Sequence, residues 1–162
     1  LVQIRSATVQ DADQCAAIYA PFVTDSWVSF ETLPPDATEM GQRIERALSS
    51  HDWLVAETDG AVAGYAYGSQ HRTRSAYQSS CDVAVYIDPA FARQGIGRLL
   101  YKALFERLRE RKVHALFAGI ALPNDGSIGL HRSLGFSPVG IYQQVGWKMD
   151  AWRDVQWMQR LL

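Results

Sequence analysis

Two glycines separate a strand-like run from a periodic helix in "DPAFARQGIGRLLYKAL", Asp88 to Leu104. Glycine at such a junction leaves backbone N–H groups bare, and the positive end of the following helix dipole adds to them, so the chemistry on offer is capture of phosphate. Three kinds of loop use it. A nucleoside-triphosphate loop needs G-x-x-x-x-G-K-[ST], but Arg98 and Leu99 follow Gly97, leaving neither the lysine nor the magnesium-binding hydroxyl. A dinucleotide fingerprint needs a third glycine or alanine where Leu100 stands. What remains is a short loop, Arg93-Gln94-Gly95-Ile96-Gly97-Arg98, whose successive amides wrap a pyrophosphate with Arg93 and Arg98 at its edge.

The elements that must position this loop follow from periodicity. "VQIRSAT" alternates as a strand, and from Asp11 onward Cys15, Ala16, Ile18, Tyr19 and Phe22 fall at helical spacing, with Pro21 expected to kink or end the helix. Asp36 and Glu39 have capping-box spacing ahead of a stripe of Met40, Ile44 and Leu48. "WLVAETDGAVAGYAYGSQ" reads as two strands joined at Asp59-Gly60, "HRTRSAYQSS" as a loop, and "CDVAVYIDP" as a further strand. Ile96, Leu99, Leu100, Ala103, Leu104 and Leu108 form the buried stripe of the next helix. A buried strand "HALFAGIAL", a short helix from Asn124 or Asp125, and a final strand pair complete a β-α-α-β-β-β-α-β-α-β-β order. That order predicts an α/β protein, a mixed sheet with helices on both faces.

The 162 residues suit one domain, 1–162, and 48% apolar with 20% charged residues is the balance of an ordinary globular chain. A formal charge of −1 with scattered arginines gives no field to gather nucleic acid. Cys15 and Cys81 lack CxxC spacing, no stretch approaches the length of a membrane span, and the first residues carry no apolar signal core. A cytoplasmic protein without nucleic-acid or membrane partners is expected.

"ARQGIGRLL" after "VAVYIDP" resembles the acyl-coenzyme A pyrophosphate loop of the GNAT N-acetyltransferase superfamily, [QR]-x-x-G-x-[GA], with Ala92 in place of the polar first residue. "LPNDGSIGLHRSLGF" is similar to the closing motif of the same superfamily. With "IYAPFV", "WLVAETDGAVAGYAY", "TRSAYQ" and "GWKMDAWRDVQWMQR", the resemblance covers nearly the whole chain and points to the phosphinothricin N-acetyltransferase branch, whose members also acetylate methionine sulfone and sulfoximine. It implies the GNAT fold, a mostly antiparallel central sheet with a splayed strand pair that holds acetyl-CoA. It also implies a small-molecule amine acceptor, no metal and a homodimer, for which Tyr142, Trp147, Trp152 and Trp157 would supply the interface.

By the same resemblance, the backbone of Val85, Tyr86 and Ile87 faces the pantetheine and acetyl carbonyl, and Asn124 and Ser127 lie beside the pantetheine arm. Asp82 takes the position of the branch's glutamate base, one methylene and roughly 1.5 Å shorter, which turns a direct contact into a water relay. His131 stands where many relatives carry a proton-donating tyrosine, and histidine serves either proton job near neutrality, so the choice between Asp82 and His131 as base stays open. Arg72, Arg74 and Tyr77 match a Lys-x-Arg-x-x-Tyr acceptor motif, with Phe30 an apolar wall and Glu31 a partner for the amine. His51, His71 and His114 have no spacing suited to a metal and no expected role. Covalent acetylation of Cys81 is disfavoured, because its side chain alternates away from Asp82. Two rival readings are a protein or peptide acetyltransferase and an acyl-CoA binding module without turnover.

Overall fold

A computed structural model describes all residues, Leu1–Leu162. The elements are β1 (Gln3–Ser6), α1 (Ala12–Thr24), α2 (Ala37–Ser50), β2 (Trp53–Thr58), β3 (Ala61–Gln70), β4 (Ser80–Ile87), α3 (Ile96–Glu110), β5 (Ala115–Ala121), α4 (Asp125–Ser133), β6 (Ser137–Lys148) and β7 (Ala151–Leu161). Their order is the one expected. They form one seven-stranded sheet, β1-β2-β3-β4-β5-β7-β6, antiparallel except between β4 and β5.

Local chemistry explains the joints. Asp59 and Gly60 both take positive φ, 51° and 78°, so the β2–β3 turn has the primed geometry that matches strand twist. Asp36 caps α2 by accepting from the Glu39 amide at 2.9 Å, but the reciprocal half of the box is missing because the Glu39 carboxylate turns to Arg43 at 3.1 Å. Pro21 does not stop α1, which runs on to Thr24 with the Asp25 amide bonded to the Pro21 carbonyl. The ring removes a single amide donor one turn from the end, a loss the packed helix tolerates.

Strand alternation divides the core in two. Leu54 and Ala56 of β2 face one cluster, which gathers Leu100, Tyr101, Leu104 and Leu108 of α3, while Trp53 and Val55 face the other, under α1 and α2. Leu100, Leu104 and Leu108 are wholly buried, each worth about 1.5–3 kcal/mol relative to exposure. These contacts pin α3 against β4 and so fix the position of the loop ahead of it. On β4 itself Cys81 and Val83 point into the α3 cluster, whereas Tyr86 packs with the α1–α2 cluster.

The approach of β3 to β4 is close at Gly64, where an added Cβ would lie 2.9 Å from the Tyr86 carbonyl oxygen. Gly64→Ala must therefore push β4 aside. Equilibrium urea unfolding should show a loss of about 1–3 kcal/mol, and an unchanged midpoint would mean that β4 yields freely.

Candidate active site

β4 and β5 pair over only three rungs, Ser80–Ala115, Cys81–Leu116 and Asp82–Phe117. Beyond Asp82 the two strands part. On the α3–α4 side of the parting lies a narrow slot of about 60 Å³, lined by β4 and β5 together with Tyr101, Asn124, Ser127 and His131. On the α1–α2 side lies a wider cleft of about 610 Å³ that includes Tyr19, Phe30, Glu31, Asp82 and Trp157. Val28, Val83, Ala84, Tyr86, Gly119 and Ala121 line both, so the two spaces meet through the gap between the strands. A sheet opened in this way leaves Val85, Tyr86 and Ile87 of β4 paired with β3 alone, and their remaining polar groups are available to a ligand.

The glycine loop ends at the start of α3. Gly95 is the N-cap at φ 77°, with no side-chain cap, and the first helical bond runs from the Leu99 amide to the Gly95 carbonyl. The amides of Ile96, Gly97 and Arg98 therefore have no partner within the helix. This bare cradle fits the pyrophosphate of acyl-CoA. Ile96 is 1% exposed and contributes its amide only, while Arg93 and Gln94 are exposed on the loop, Arg93 at φ 63°. Arg98 reaches toward α4, its Nη1 donating to Ser133 Oγ at 3.0 Å. Asn124 caps α4 by accepting from the Ser127 amide at 3.1 Å, which holds both residues at the slot.

The proton-carrying groups are arranged differently from expectation. Asp82 lies 2.6 Å from Nδ1 of His71, a residue given no role from sequence spacing; its ring stacks on Phe117 at 4.3 Å between centroids. Nothing local in the sequence pairs positions 71 and 82. They meet because the end of β3 lies beside β4. Burial raises the Asp82 pKa, and the His71 bond opposes that rise. His131 is 3% exposed, with Nδ1 on the Ser127 carbonyl at 2.7 Å and Nε2 on the Tyr101 hydroxyl at 3.0 Å. The carbonyl accepts only from a protonated Nδ1, so Tyr101 donates to Nε2. Burial lowers the His131 pKa and keeps the ring neutral, with both nitrogens engaged. Burial likewise pushes the Cys81 thiol up to about 12, which leaves no thiolate for a covalent route.

On the acceptor side, the Glu31 carboxylate is clamped by Arg43 at 2.6 and 2.9 Å and also accepts from Tyr19. Arg43 holds the Glu31 pKa below the usual carboxylate range. Lys148 donates to the Ser29 and Glu31 carbonyls, both at 2.7 Å, and ties the 28–31 segment to the end of β6. Phe30 lies over Gly146, where a side chain would overlap its ring. Arg43, Lys148, Tyr19 and Tyr101 were not foreseen as site residues, because each acts across the fold. Arg72, Arg74 and Tyr77 are exposed and do not line this cleft in the single chain. Arg72 borders a neighbouring groove beside β6, and Tyr77 one beside α2.

A sequence model of the acetyltransferase (GNAT) family matches residues 19–136, spanning the splay, the glycine loop and α4. The chain belongs to this family. Phosphinothricin N-acetyltransferase of Alcaligenes faecalis is 39% identical over 161 residues, 98% of this chain and 82% of that protein. A crystal structure of a ribosomal-protein-alanine N-acetyltransferase from Brucella melitensis superposes with a TM-score of 0.95 at 38% identity, covering 99% of both chains. A phosphinothricin acetyltransferase from Sinorhizobium meliloti in complex with acetyl-CoA gives a TM-score of 0.95 at 32% identity, over 99% of this chain and 88% of that one. This GNAT protein falls in the phosphinothricin and methionine sulfone–sulfoximine acetyltransferase branch and is an acetyl-CoA-dependent acyltransferase. No cluster of three or more His, Cys, Asp or Glu side chains is placed to hold a metal, and no helix is long and apolar enough to cross a membrane.

Because a GNAT pyrophosphate cradle works through amides, a side chain at Gly97 should obstruct it. Its Cβ would already stand 3.4 Å from Leu130. Gly97→Val should weaken acetyl-CoA binding by at least about tenfold, or 1.4 kcal/mol, in a calorimetric titration. Unchanged affinity would place the pyrophosphate elsewhere.

Proposed function

We propose that this single-domain enzyme, residues 1–162, acetylates the α-amine of a small amino-acid-like compound of the phosphinothricin, methionine sulfone or methionine sulfoximine type. The observation that carries the reading is an acceptor cleft, lined by Asp82, that meets the cofactor slot through the parting of β4 and β5. Its aromatic walls, Phe30 and Trp157, suit an aliphatic side chain, and the clamped Glu31–Arg43 pair gives it a polar end. The identity to a phosphinothricin acetyltransferase and to a methionine sulfoximine/methionine sulfone acetyltransferase supports the same acceptor class. The Brucella melitensis neighbour favours a second reading, transfer to the terminal amine of a protein.

In the first reading Asp82 removes one proton from the acceptor ammonium, freeing the nitrogen lone pair to form the C–N bond to the acyl carbon; the C–S bond breaks, and the second proton lost from the nitrogen goes to the departing sulfur. Acetyl-CoA, when bound, supplies the thioester carbonyl as electrophile. The backbone of Val85, Tyr86 and Ile87 orients the arm along the parting of the strands, while Asn124 and Ser127 hold its other wall. Neutral His131, tied to Tyr101 and Ser127, shapes the slot between them. Arg93, Gln94 and Arg98 flank the pyrophosphate, and the amides of Gly95 to Arg98 face it. Arg72, Arg74 and Tyr77 approach the acceptor only with movement of their loop or with a second subunit in place.

A second copy of the chain is proposed to cover β6 and β7. Tyr142, Trp147 and Trp152 are 51%, 58% and 59% exposed, beside exposed Val139, Ile141 and Val145 on the edge strand. Exposed apolar side chains along one sheet edge support an interface there. Two buried, unpaired cysteines fit a reducing compartment, and we assign the enzyme to the cytoplasm.

Purified protein with acetyl-CoA and each of the three acceptors should release thiol in proportion to acceptor. Asp82→Ala should lower kcat by about 100-fold or more with acetyl-CoA affinity preserved. Release with a peptide amine alone would favour the protein-directed reading. Light scattering should give a dimer, and the double variant Trp147→Glu with Trp152→Glu a monomer.

A further inference from the structure

We propose that His71 is a positioning residue for acetyl transfer: its Nδ1–H holds one oxygen of Asp82 and leaves the other for the acceptor amine. The inference rests on the role given to Asp82 above, and it assigns a function to a histidine that neither the glycine loop nor the acceptor motif contains.

Asp82 and Phe117 form the last rung before β4 and β5 part, so Asp82 lines the acceptor cleft at the apex of the parting. A short side chain at that point has little reach and must be aimed. His71 Nδ1 lies 2.6 Å from Asp82 Oδ1, and this is the one side-chain hydrogen bond that the carboxylate makes. Oδ2 is left free in a residue that lines the acceptor cleft. The imidazole is itself fixed. It stacks on Phe117 at 4.3 Å and 16°, with Trp157 edge-on at 6.4 Å and Tyr77 at 6.0 Å. A ring clamped between aromatics loses no further freedom when it orients the carboxylate.

The ring opens into a different space from the acceptor. His71 borders the groove beside Ile141 and Tyr142, whereas Asp82 borders the cleft beside Glu31 and Tyr86. His71 therefore acts through Asp82 and not on the acceptor. A hydrogen bond to an ionised carboxylate requires the proton on Nδ1. That donor favours the charged form of Asp82, which burial disfavours. The other groups that face the carboxylate are Arg72 from the adjoining loop and His51 from the end of α2, which favour its charge, and Tyr67 from β3. A latch that merely tied the loop to β4 would use the same bond, so the test must read the carboxylate and not only the fold.

His71→Phe keeps the stack on Phe117 and removes the donor, whereas the amide of His71→Asn can donate to the same oxygen. With acetyl-CoA and methionine sulfone, His71→Phe should lower kcat roughly 10- to 100-fold with the acetyl-CoA KM within about twofold. Its acid limb should move to higher pH: loss of the donor raises the Asp82 pKa, so activity that requires the ionised form disappears earlier as pH falls. His71→Asn should recover most of kcat. Wild-type kcat with an unmoved acid limb in His71→Phe would overturn the proposal, as would a His71→Asn as impaired as His71→Phe with a matching loss of melting temperature. Asp82→Asn runs in parallel. If it retains full activity, the base assignment and this inference both fall; if it is inactive while His71→Phe is normal, only this inference does. Independently of any acceptor, the nitrogen spectrum of the wild type should show the His71 proton on Nδ1, the nitrogen that faces Asp82. An unprotonated Nδ1 in the wild type would refute the proposal.

Discussion

The site depends on a parallel strand pair that stops after three rungs. Were β4 and β5 to stay paired, their backbone groups would satisfy one another and the sheet would be an unbroken wall between its two faces. Because they separate after Asp82 and Phe117, a passage runs from the slot under α3 and α4 to the cleft under α1 and α2. A thioester reached from one face and an amine from the other can then meet without either passing the other. Asp82 stands at the point of separation.

Holding that gap open requires packing on both sides. On one, α3 is seated by Leu100, Leu104 and Leu108, and its first turn has no side-chain cap over its amides. On the other, Tyr86 packs against Tyr19 at 4.9 Å and Phe22 at 5.2 Å and fills the space beneath α1. The irregular segment through Phe30 and Glu31 has no ladder of its own. It is held by Lys148 on its carbonyls and by Arg43 and Tyr19 on the Glu31 carboxylate, three elements converging on one segment.

The chemistry of the two histidines illustrates how context decides a role. His131, in the expected helix position, is buried with both nitrogens engaged inside the protein, and burial suppresses its charged form. His71, at the start of the loop that carries Arg72 and Arg74, is joined to the carboxylate of Asp82. The residue type is the same, and the neighbours differ.

Much of the fold was legible in the chain. The Asp59-Gly60 turn, the α3 stripe and the Asn124 cap are local signals: each arises from residues within a few positions of one another, where φ preference, helical period or a single side-chain bond decides the outcome. The glycine loop is local too, since an uncapped αL residue ahead of a helix is enough to bare its amides. The parting of β4 from β5, the pairing of His71 with Asp82, the Glu31–Arg43 clamp and the exposure of Trp147 and Trp152 are not local. They depend on which segments the core brings together across 11, 12 or more than 100 residues, and no period or propensity encodes that distance. Sequence alone determined the elements and the bare amides ahead of α3, because those are written in neighbouring residues. Tertiary structure alone decided which histidine meets Asp82 and what surrounds the pair, because a hydrogen bond between distant residues exists only once the sheet has set them side by side.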